Sequence, residues 1–290
     1  MHFKGIYSTD CRYFLTSRFR YVNYQLQNTM NVIVCIKQVP DTAEVRIDPV
    51  TKTLIREGVP SIVNPFDLYA AEEAIRLKER YGGKTIAISM GPPQAEEALR
   101  EVVSMGIDEA ILITDEKFRG SDTLATSYTL AKAIQKLGDY DLILCGKQAI
   151  DGDTAQVGPG IAEWLSLPQV TYVGKIEDIK DNKAKVWRLI EGGHEILEVP
   201  LPAVFTVVKE INEPRLPSLR GKLRAKSMTI PRFAAKDLEV DPCYVGLEGS
   251  PTQVVEIFTP EIKKGGEVFH GPIEEGVEKL YQFLKERGFV

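Results

Sequence analysis

The sequence holds no cysteine pair at C-x-x-C spacing: Cys11, Cys35, Cys145 and Cys243 are its four cysteines, and they lie far apart. This excludes a zinc ribbon or a thioredoxin-type motif, and it gives no framework of disulfides. Cys35 and Cys145 sit inside apolar runs, where a free cysteine behaves as a small hydrophobe. A reducing, cytoplasmic setting is expected. Histidine is scarcer still, and His2, His194 and His270 are too scattered for a metal site. His194, between Gly193 and Glu195, reads as a solvated turn residue. No apolar run approaches the roughly 18 to 20 residues of a membrane span, so any membrane association is expected to run through a partner. Cations are not in surplus, since the formal net charge is -5, and nucleic acid is not an expected partner. The chemical motifs that are missing narrow the field further. There is no G-x-G-x-x-G after the first strand, no G-x-x-x-x-G-K-[ST], no G-x-S-x-G elbow and no Cys/His pairing for nucleophilic catalysis. A nucleotide would have to be held by other means, and no catalytic residue is named.

What is present is a regular alternation. From Met30 onward short apolar runs alternate with helical patterns, the mark of βαβ units and a mainly parallel α/β sheet. Strands are expected at Val32 to Lys37, Thr85 to Met90, Ala110 to Thr114 and Leu142 to Gly146. Helices are expected around Leu68 to Leu77, after Pro92-Pro93, and from Leu124 to Leu137. Near Val170 the pattern turns to shorter alternating strands: Val170 to Val173, Lys185 to Ile190, Ile196 to Val199 and Val204 to Val208. A hairpin turn is expected at Glu191-Gly192-Gly193-His194. From Asn212 to Arg232 the chain is basic and irregular. Ile273, Val277, Leu280, Tyr281 and Leu284 then recur at helical spacing.

In a parallel sheet the ligand sits beyond the carboxyl ends of the strands, so the segments following them matter most. The fourth strand runs into Gly146-Lys147-Gln148-Ala149-Ile150-Asp151-Gly152-Asp153-Thr154-Ala155-Gln156-Val157-Gly158-Pro159-Gly160. Its glycines permit close backbone approach, and Thr154 and Gln156 offer donors. A helix is expected to start near Asp153-Thr154, with either as N-cap, and its free amides make a ready anion site. Asp151 and Asp153 suit a ribose hydroxyl, an adenine amino group or a cap better than a phosphate. The same loop also reads as a plain strand-to-helix connection. Gly120-Ser121-Asp122-Thr123-Leu124-Ala125-Thr126-Ser127 opens the third helix; it reads either as an N-cap at Ser121 or Asp122 or as a set of hydroxyls for a cofactor. In the basic stretch Leu216, Leu219 and Leu223 lie among cations, either a solvated face or a docking anchor.

Taken together, these segments resemble the beta subunit of electron transfer flavoproteins. The resemblance is carried by Val32 to Val39, Asn64-Pro65-Phe66, Ser89-Met90-Gly91-Pro92, Gly146 to Asp151, the hairpin Val186 to Leu197, and Pro202-Ala203-Val204-Phe205-Thr206. It spans Met30 to at least Lys226, and Phe205 stands where an aliphatic residue is usual. The resemblance implies a Rossmann-like adenine-nucleotide-binding sheet with an added antiparallel hairpin region and an extended C-terminal arm. Residues 30–211 would form the nucleotide- or flavin-binding domain, and residues 212–290 the recognition loop and arm. Residues 1–29, rich in basic and hydroxyl side chains, have no counterpart, and read as a loose arm from an upstream start or as a targeting segment.

The family forms a heterodimer with an alpha subunit that carries FAD. Its beta subunit binds AMP in the conventional group and a second FAD in the electron-bifurcating group. The segments around Gly152 to Pro159, Asp122 to Ser127 and Gly91 to Gln94 are similar to the bifurcating group, which makes FAD the expected cofactor and NADH the expected substrate. The residues implied to bind it are Lys37, Val39, Asp41, Asn64, Ser89, Gly91, Asp122, Thr123, Thr126, Ser127, Gly146, Gln148, Asp151, Gly152, Asp153, Thr154, Gln156, Val157, Gly158 and Pro159. Electrons would leave through the alpha FAD to a high-potential acceptor, either an acyl-CoA dehydrogenase or a quinone-oxidoreductase complex, and separately to ferredoxin or flavodoxin. Leu216, Leu219, Arg220 and Leu223 would form the docking segment, with Leu219 as its anchor.

Overall fold

The computed structural model describes residues 29–41, 61–255 and 268–290. The expectation for the N-terminal extension lies outside them, residue 29 apart. In chain order the elements are β1 (Met30–Cys35), β2 (Gln38–Pro40), β3 (Ser61–Val63), α1 (Pro65–Tyr81), β4 (Gly83–Met90), α2 (Glu96–Met105), β5 (Glu109–Ile113), α3 (Thr123–Leu137) and β6 (Leu142–Gly146). There follow α4 (Val157–Leu165), β7 (Gln169–Lys180), β8 (Lys183–Ile190), β9 (Gly193–Pro200), β10 (Ala203–Val207), α5 (Leu219–Ser227), β11 (Arg232–Phe233), α6 (Ala235–Leu238) and α7 (Ile273–Glu286).

One nine-stranded sheet runs in the order β11-β5-β4-β1-β6-β10-β7-β8-β9. Its pairings are parallel from β11 through β7, and β7, β8 and β9 then form an antiparallel meander. The parallel part is hydrophobic on both faces, as strands covered by helices on both sides must be. Alternate residues of β1 show how the core divides. Val32 and Val34 pack with Ala71, Ala74 and Ile75 of α1 and Leu99 and Val102 of α2. Ile33 and Cys35 point the other way, onto Tyr128 and Ile134 of α3 and Ile161 of α4.

The segment Val204 to Val208 corrects the reading of a short alternating strand. It is β10, buried at every position and parallel to its neighbours β6 and β7. Both of its faces lie under helices or sheet neighbours, so no polar face is needed. The meander strands are longer than the expected segments, because β7 continues past its pairing with β10 and β8 and β9 run beside it as a three-stranded antiparallel ribbon. The turn between β8 and β9 is Glu191-Gly192, with Gly192 at φ 84°, and His194 lies in β9 with its ring edge-on to Trp187 rather than in the turn.

The described residues fall into two compact units, 29–41 with 61–253 and 254–255 with 268–290. Residues 212–253 therefore group with the α/β body. Their edge strand β11 pairs with β5, and Arg100 of α2 donates to the Ala225 and Met228 carbonyls around α5. The second unit contains α7, with Phe269 beside Gly271 and Gly276 and the Lys279 ammonium 4.6 Å from the Phe269 ring centroid. Among the described residues no helix is long and apolar enough to cross a membrane.

Candidate functional site

The sheet order places a topological switch between β1 and β6. The chain leaves β1 toward β4 on one side, whereas β6 lies on the other. The strands pair with Cys35 opposite Cys145, so their carboxyl ends, leading to Lys37 and Gly146, diverge at the crevice where α/β sheets hold ligands.

Three loops are tied together there. The Lys37 ammonium reaches both oxygens of Asp151, at 2.6 and 2.8 Å, and bridges the β1 and β6 loops. Asn64 is 1% exposed, and both its amide hydrogens and its oxygen are engaged within the protein. Its amide donates to the Gln148 carbonyl and to Asp67 Oδ1, both at 2.9 Å, and accepts from the Ile150 amide at 3.1 Å. Asn64 therefore shapes the loop from beneath. Gln148 donates in turn to Asp153 Oδ1. Val39 is 1% exposed, buried in the β2–β3 pair, whereas Asp41 is exposed.

The helix expected near Asp153-Thr154 begins at Val157 instead. Asp153 and Ala155 both take left-handed backbone conformations, at φ 51° and 53°, and the Asp153 amide turns back to the Ala149 carbonyl. Residues 153 to 155 thus belong to a strained loop, and the position before α4 is Gln156, which provides no side-chain cap. A helix start leaves its first amides without intrahelical acceptors. At α4 these include Val157 and Gly158, and they face no capping side chain.

At α3 the opposite holds. Asp122 Oδ1 accepts from the Leu124 and Ala125 amides, and its other oxygen accepts from Thr252 at 2.8 and 3.0 Å. Partial burial works against its charge, but the Ala125 and Leu124 amides and Thr252 outweigh it and hold Asp122 below the usual carboxylate range. The cap reading of Asp122 is thus met by the geometry. Thr123 donates to Gln156 Oε1 at 2.8 Å, which joins the two helix starts. Ser127 is buried and bonds back to the Leu124 carbonyl, whereas Thr126 is half-buried. Gly91 is half-buried after β4, and Ser89, 1% exposed, has a hydroxyl with no partner in the structure.

The glycines divide by cause. A Cβ on Gly158 would lie 2.4 Å from Thr206 Cγ2, and one on Gly146 would lie 2.3 Å from Asp67 Oδ1. Both absences of side chain are required by protein packing. Gly152, by contrast, faces open space, and Asp151, Asp153 and Thr154 beside it are exposed. Pro159 supplies no amide and follows the two free ones. Ser89 with an unpartnered buried hydroxyl, the uncapped α4 amides and the open Gly152 corner fit an adenine nucleotide with a phosphate at the helix start.

Asp67 was passed over in the sequence, although it stands in the first turn of α1 directly after Asn64-Pro65-Phe66. Its carboxylate accepts from the Lys37 amide at 2.7 Å, the Asn64 amide group and the Gly146 amide. Burial pushes it up to about 7, against the pull of those donors. Arg215 stands near the start of the basic stretch. It donates to Glu72 and Glu79 of α1 and fixes the start of the basic stretch to the body. Beyond it Leu216, Leu219 and Leu223 are 89%, 77% and 63% exposed, and Arg220 is exposed beside them. Ser218 caps α5 by accepting from the Gly221 amide.

Comparison with known proteins places this arrangement. Residues 51–238 match the electron transfer flavoprotein domain. The electron transfer flavoprotein subunit beta of Thermoanaerobacterium thermosaccharolyticum is 57% identical over 259 residues, which covers 89% of this chain and 99% of that protein. The caffeyl-CoA reductase-Etf complex subunit CarD of Acetobacterium woodii is 50% identical over 263 residues, covering 90% and 100%. Protein FixA of Azorhizobium caulinodans is 47% identical over 241 residues, covering 81% and 86%.

Proposed function

The chain belongs to the electron transfer flavoprotein family, as a beta subunit, and we propose that it binds FAD at the β1/β6 crevice and works in an NADH-oxidising, electron-bifurcating heterodimer. The observation that carries the cofactor reading is the contrast between two helix starts. The amides of α3 are occupied by Asp122, whereas those of α4 are left to a ligand anion at the sheet's switch point. When bound, FAD would supply the redox chemistry, taking a hydride from NADH and releasing the electrons one at a time.

The chain's own residues would bind and orient. The Val157 and Gly158 amides would receive a phosphate oxygen, and the exposed Asp151 and Thr154 suit ribose hydroxyls. Ser89 would offer its hydroxyl from the end of β4, next to Gly91. Asn64 holds the Gln148–Ile150 backbone in place without touching the ligand. Lys37, paired to Asp151, closes the mouth between the loops. No side chain is assigned as acid or base. The partner would be an alpha subunit carrying its own FAD, with a high-potential acceptor of the acyl-CoA dehydrogenase or quinone-oxidoreductase type and a low-potential ferredoxin or flavodoxin. The exposed leucines at 216, 219 and 223, ringed by cations, suit docking on an acidic protein surface.

A second reading is favoured by Gly158. Its small size is needed by Thr206 and gives no argument for a diphosphate, and a structural AMP would use the same helix start. The two readings separate directly. Nucleotides released by denaturation from the heterodimer, co-produced with its alpha subunit, are counted. Two FAD and no AMP is the expected result. One FAD and one AMP would overturn the flavin reading and leave this chain as a scaffold with a docking segment.

A further inference from the structure

We infer that Asp67 is the positioning residue of this crevice: its carboxylate fastens the ends of β1 and β6 to each other and thereby sets the spacing of the loops that grip the ligand. The inference rests on the nucleotide-site reading given above. Three donors converge on the carboxylate from three segments: the Lys37 amide after β1, the Asn64 side chain before α1, and the Gly146 amide at the end of β6. The fit is close, because Gly146 approaches Asp67 and Phe66 so nearly that a Cβ there has no room. Asp67 itself makes no contact that a ligand could replace, being 6% exposed.

Among the described residues no ion pair reaches this carboxylate. The nearest cation, Lys37, spends its ammonium on Asp151, and Lys147 lies over the rings of Phe66 and Tyr172. The other titratable groups on the flanking strands are Cys35 and Cys145, both buried free cysteines. A buried charge held only by neutral donors is costly, which is why Asp67 sits at about 7 rather than in the usual carboxylate range.

Protonation has a definite local consequence. The new O–H must point at one of three groups that are themselves donors, so one of the three bonds is lost and a loop end is released. If only the ionised form holds the loops at binding distance, apparent affinity follows the ionised fraction. Between pH 8 and pH 6 that fraction falls, and affinity with it, by roughly tenfold.

The test uses the heterodimer, stripped of nucleotide and titrated with FAD and with AMP by equilibrium dialysis at pH 6, 7 and 8. Amide hydrogen exchange of residues 36–41 and 146–153 is followed in parallel without nucleotide, corrected for the intrinsic chemical rate. We expect the roughly tenfold weakening, centred near pH 7, with exchange at Lys37 and Gly146 rising over the same range. Asp67→Asn presents an N–H where the protonated acid would, so it should bind at pH 8 as weakly as wild type at pH 6 and show no pH dependence. A wild-type affinity and exchange that are both flat, or an Asp67→Asn variant with the wild-type slope, would overturn the inference. If wild type binds neither FAD nor AMP while exchange still follows pH and Asp67, the nucleotide reading fails and the positioning role stands. Should the variant not assemble, the wild-type profiles alone still decide.

Discussion

Arg215 is one of the points at which the basic stretch is fastened to the α/β body, and removing it should cost about 2–3 kcal/mol. Its guanidinium donates to both oxygens of Glu72 and both of Glu79, at 2.6 to 3.1 Å, and its backbone amide adds a bond to Glu72. The two acids differ in exposure, Glu72 having 2% of its side chain accessible and Glu79 54%. The Glu79 arm is worth little, at most about 1 kcal/mol, because solvent screens it. The Glu72 arm dominates. Stripping the partner from a buried charge costs roughly 3–5 kcal/mol, but Arg76 remains 2.7 Å from Glu72 Oε1 and compensates part of that.

With a urea slope of about 2–3 kcal/mol per molar for a chain of this size, Arg215→Ala should lower the midpoint by about 1 M. Limited proteolysis should then cut sooner between 213 and 218, where the anchor is lost. The acid limb gives a second readout. Burial opposes the Glu72 charge, but Arg215 and Arg76 hold it below the ordinary glutamate value. Its contribution is therefore present above the unfolded-state value and lost as pH falls through the depressed folded one. The difference between wild type and variant should shrink on acidification. A midpoint shift under about 0.2 M at neutral pH with an unchanged slope would refute the buried-anchor argument.

Gly158→Ala should destabilise the chain by about 1–3 kcal/mol by forcing α4 off Thr206, whereas Gly152→Ala, facing open space, should stay within about 0.5 kcal/mol; paired thermal melts decide. Leu219→Ala should leave stability unchanged and slow electron delivery to an acyl-CoA dehydrogenase by roughly 5- to 30-fold, the loss expected of an exposed anchor worth about 1–2 kcal/mol; equal rates would remove Leu219 from the docking surface. Arg220→Ala should lower the association rate at low salt and have little effect at high salt, as steering charges do, which stopped-flow reduction at two ionic strengths would show.

The legible part of the fold was the part governed by local pattern. Continuous apolar runs gave β1, β4, β5 and β6, and Pro, Gly and capping residues bounded the helices between them. Asp122 was legible as a cap because an acid before Thr123-Leu124-Ala125 needs only its own next amides. The start of α4 was not. Asp153 and Thr154 are good caps by composition, but left-handed backbone at Asp153 and Ala155 carries the loop three residues further. That conformation is fixed by Asn64, Gln148 and Ala149, which no local rule connects. Asp67 was missed for the same reason: its partners Lys37 and Gly146 are brought to it only when β1 and β6 pair. Val204 to Val208 read as alternating because Thr206 interrupts the run, and Thr206 is buried where Gly158 and the Tyr172 amide reach it.

Thr206 also bears on the choice between one phosphate and two. The small residues at 152 and 158 are two separate features. Gly158 lets α4 rest on β10, a demand that any ligand or none would leave in place, whereas Gly152 has no neighbour that requires it. On the proposed reading, a preference for FAD over AMP would therefore be carried by the exposed corner from Asp151 to Thr154, not by the helix start, which would accept the first phosphate of either ligand. It follows that a bulky residue at position 152 discriminates where one at 158 cannot. Gly152→Leu should weaken FAD and spare AMP, and equal weakening of both would locate the discriminating contacts elsewhere in the crevice.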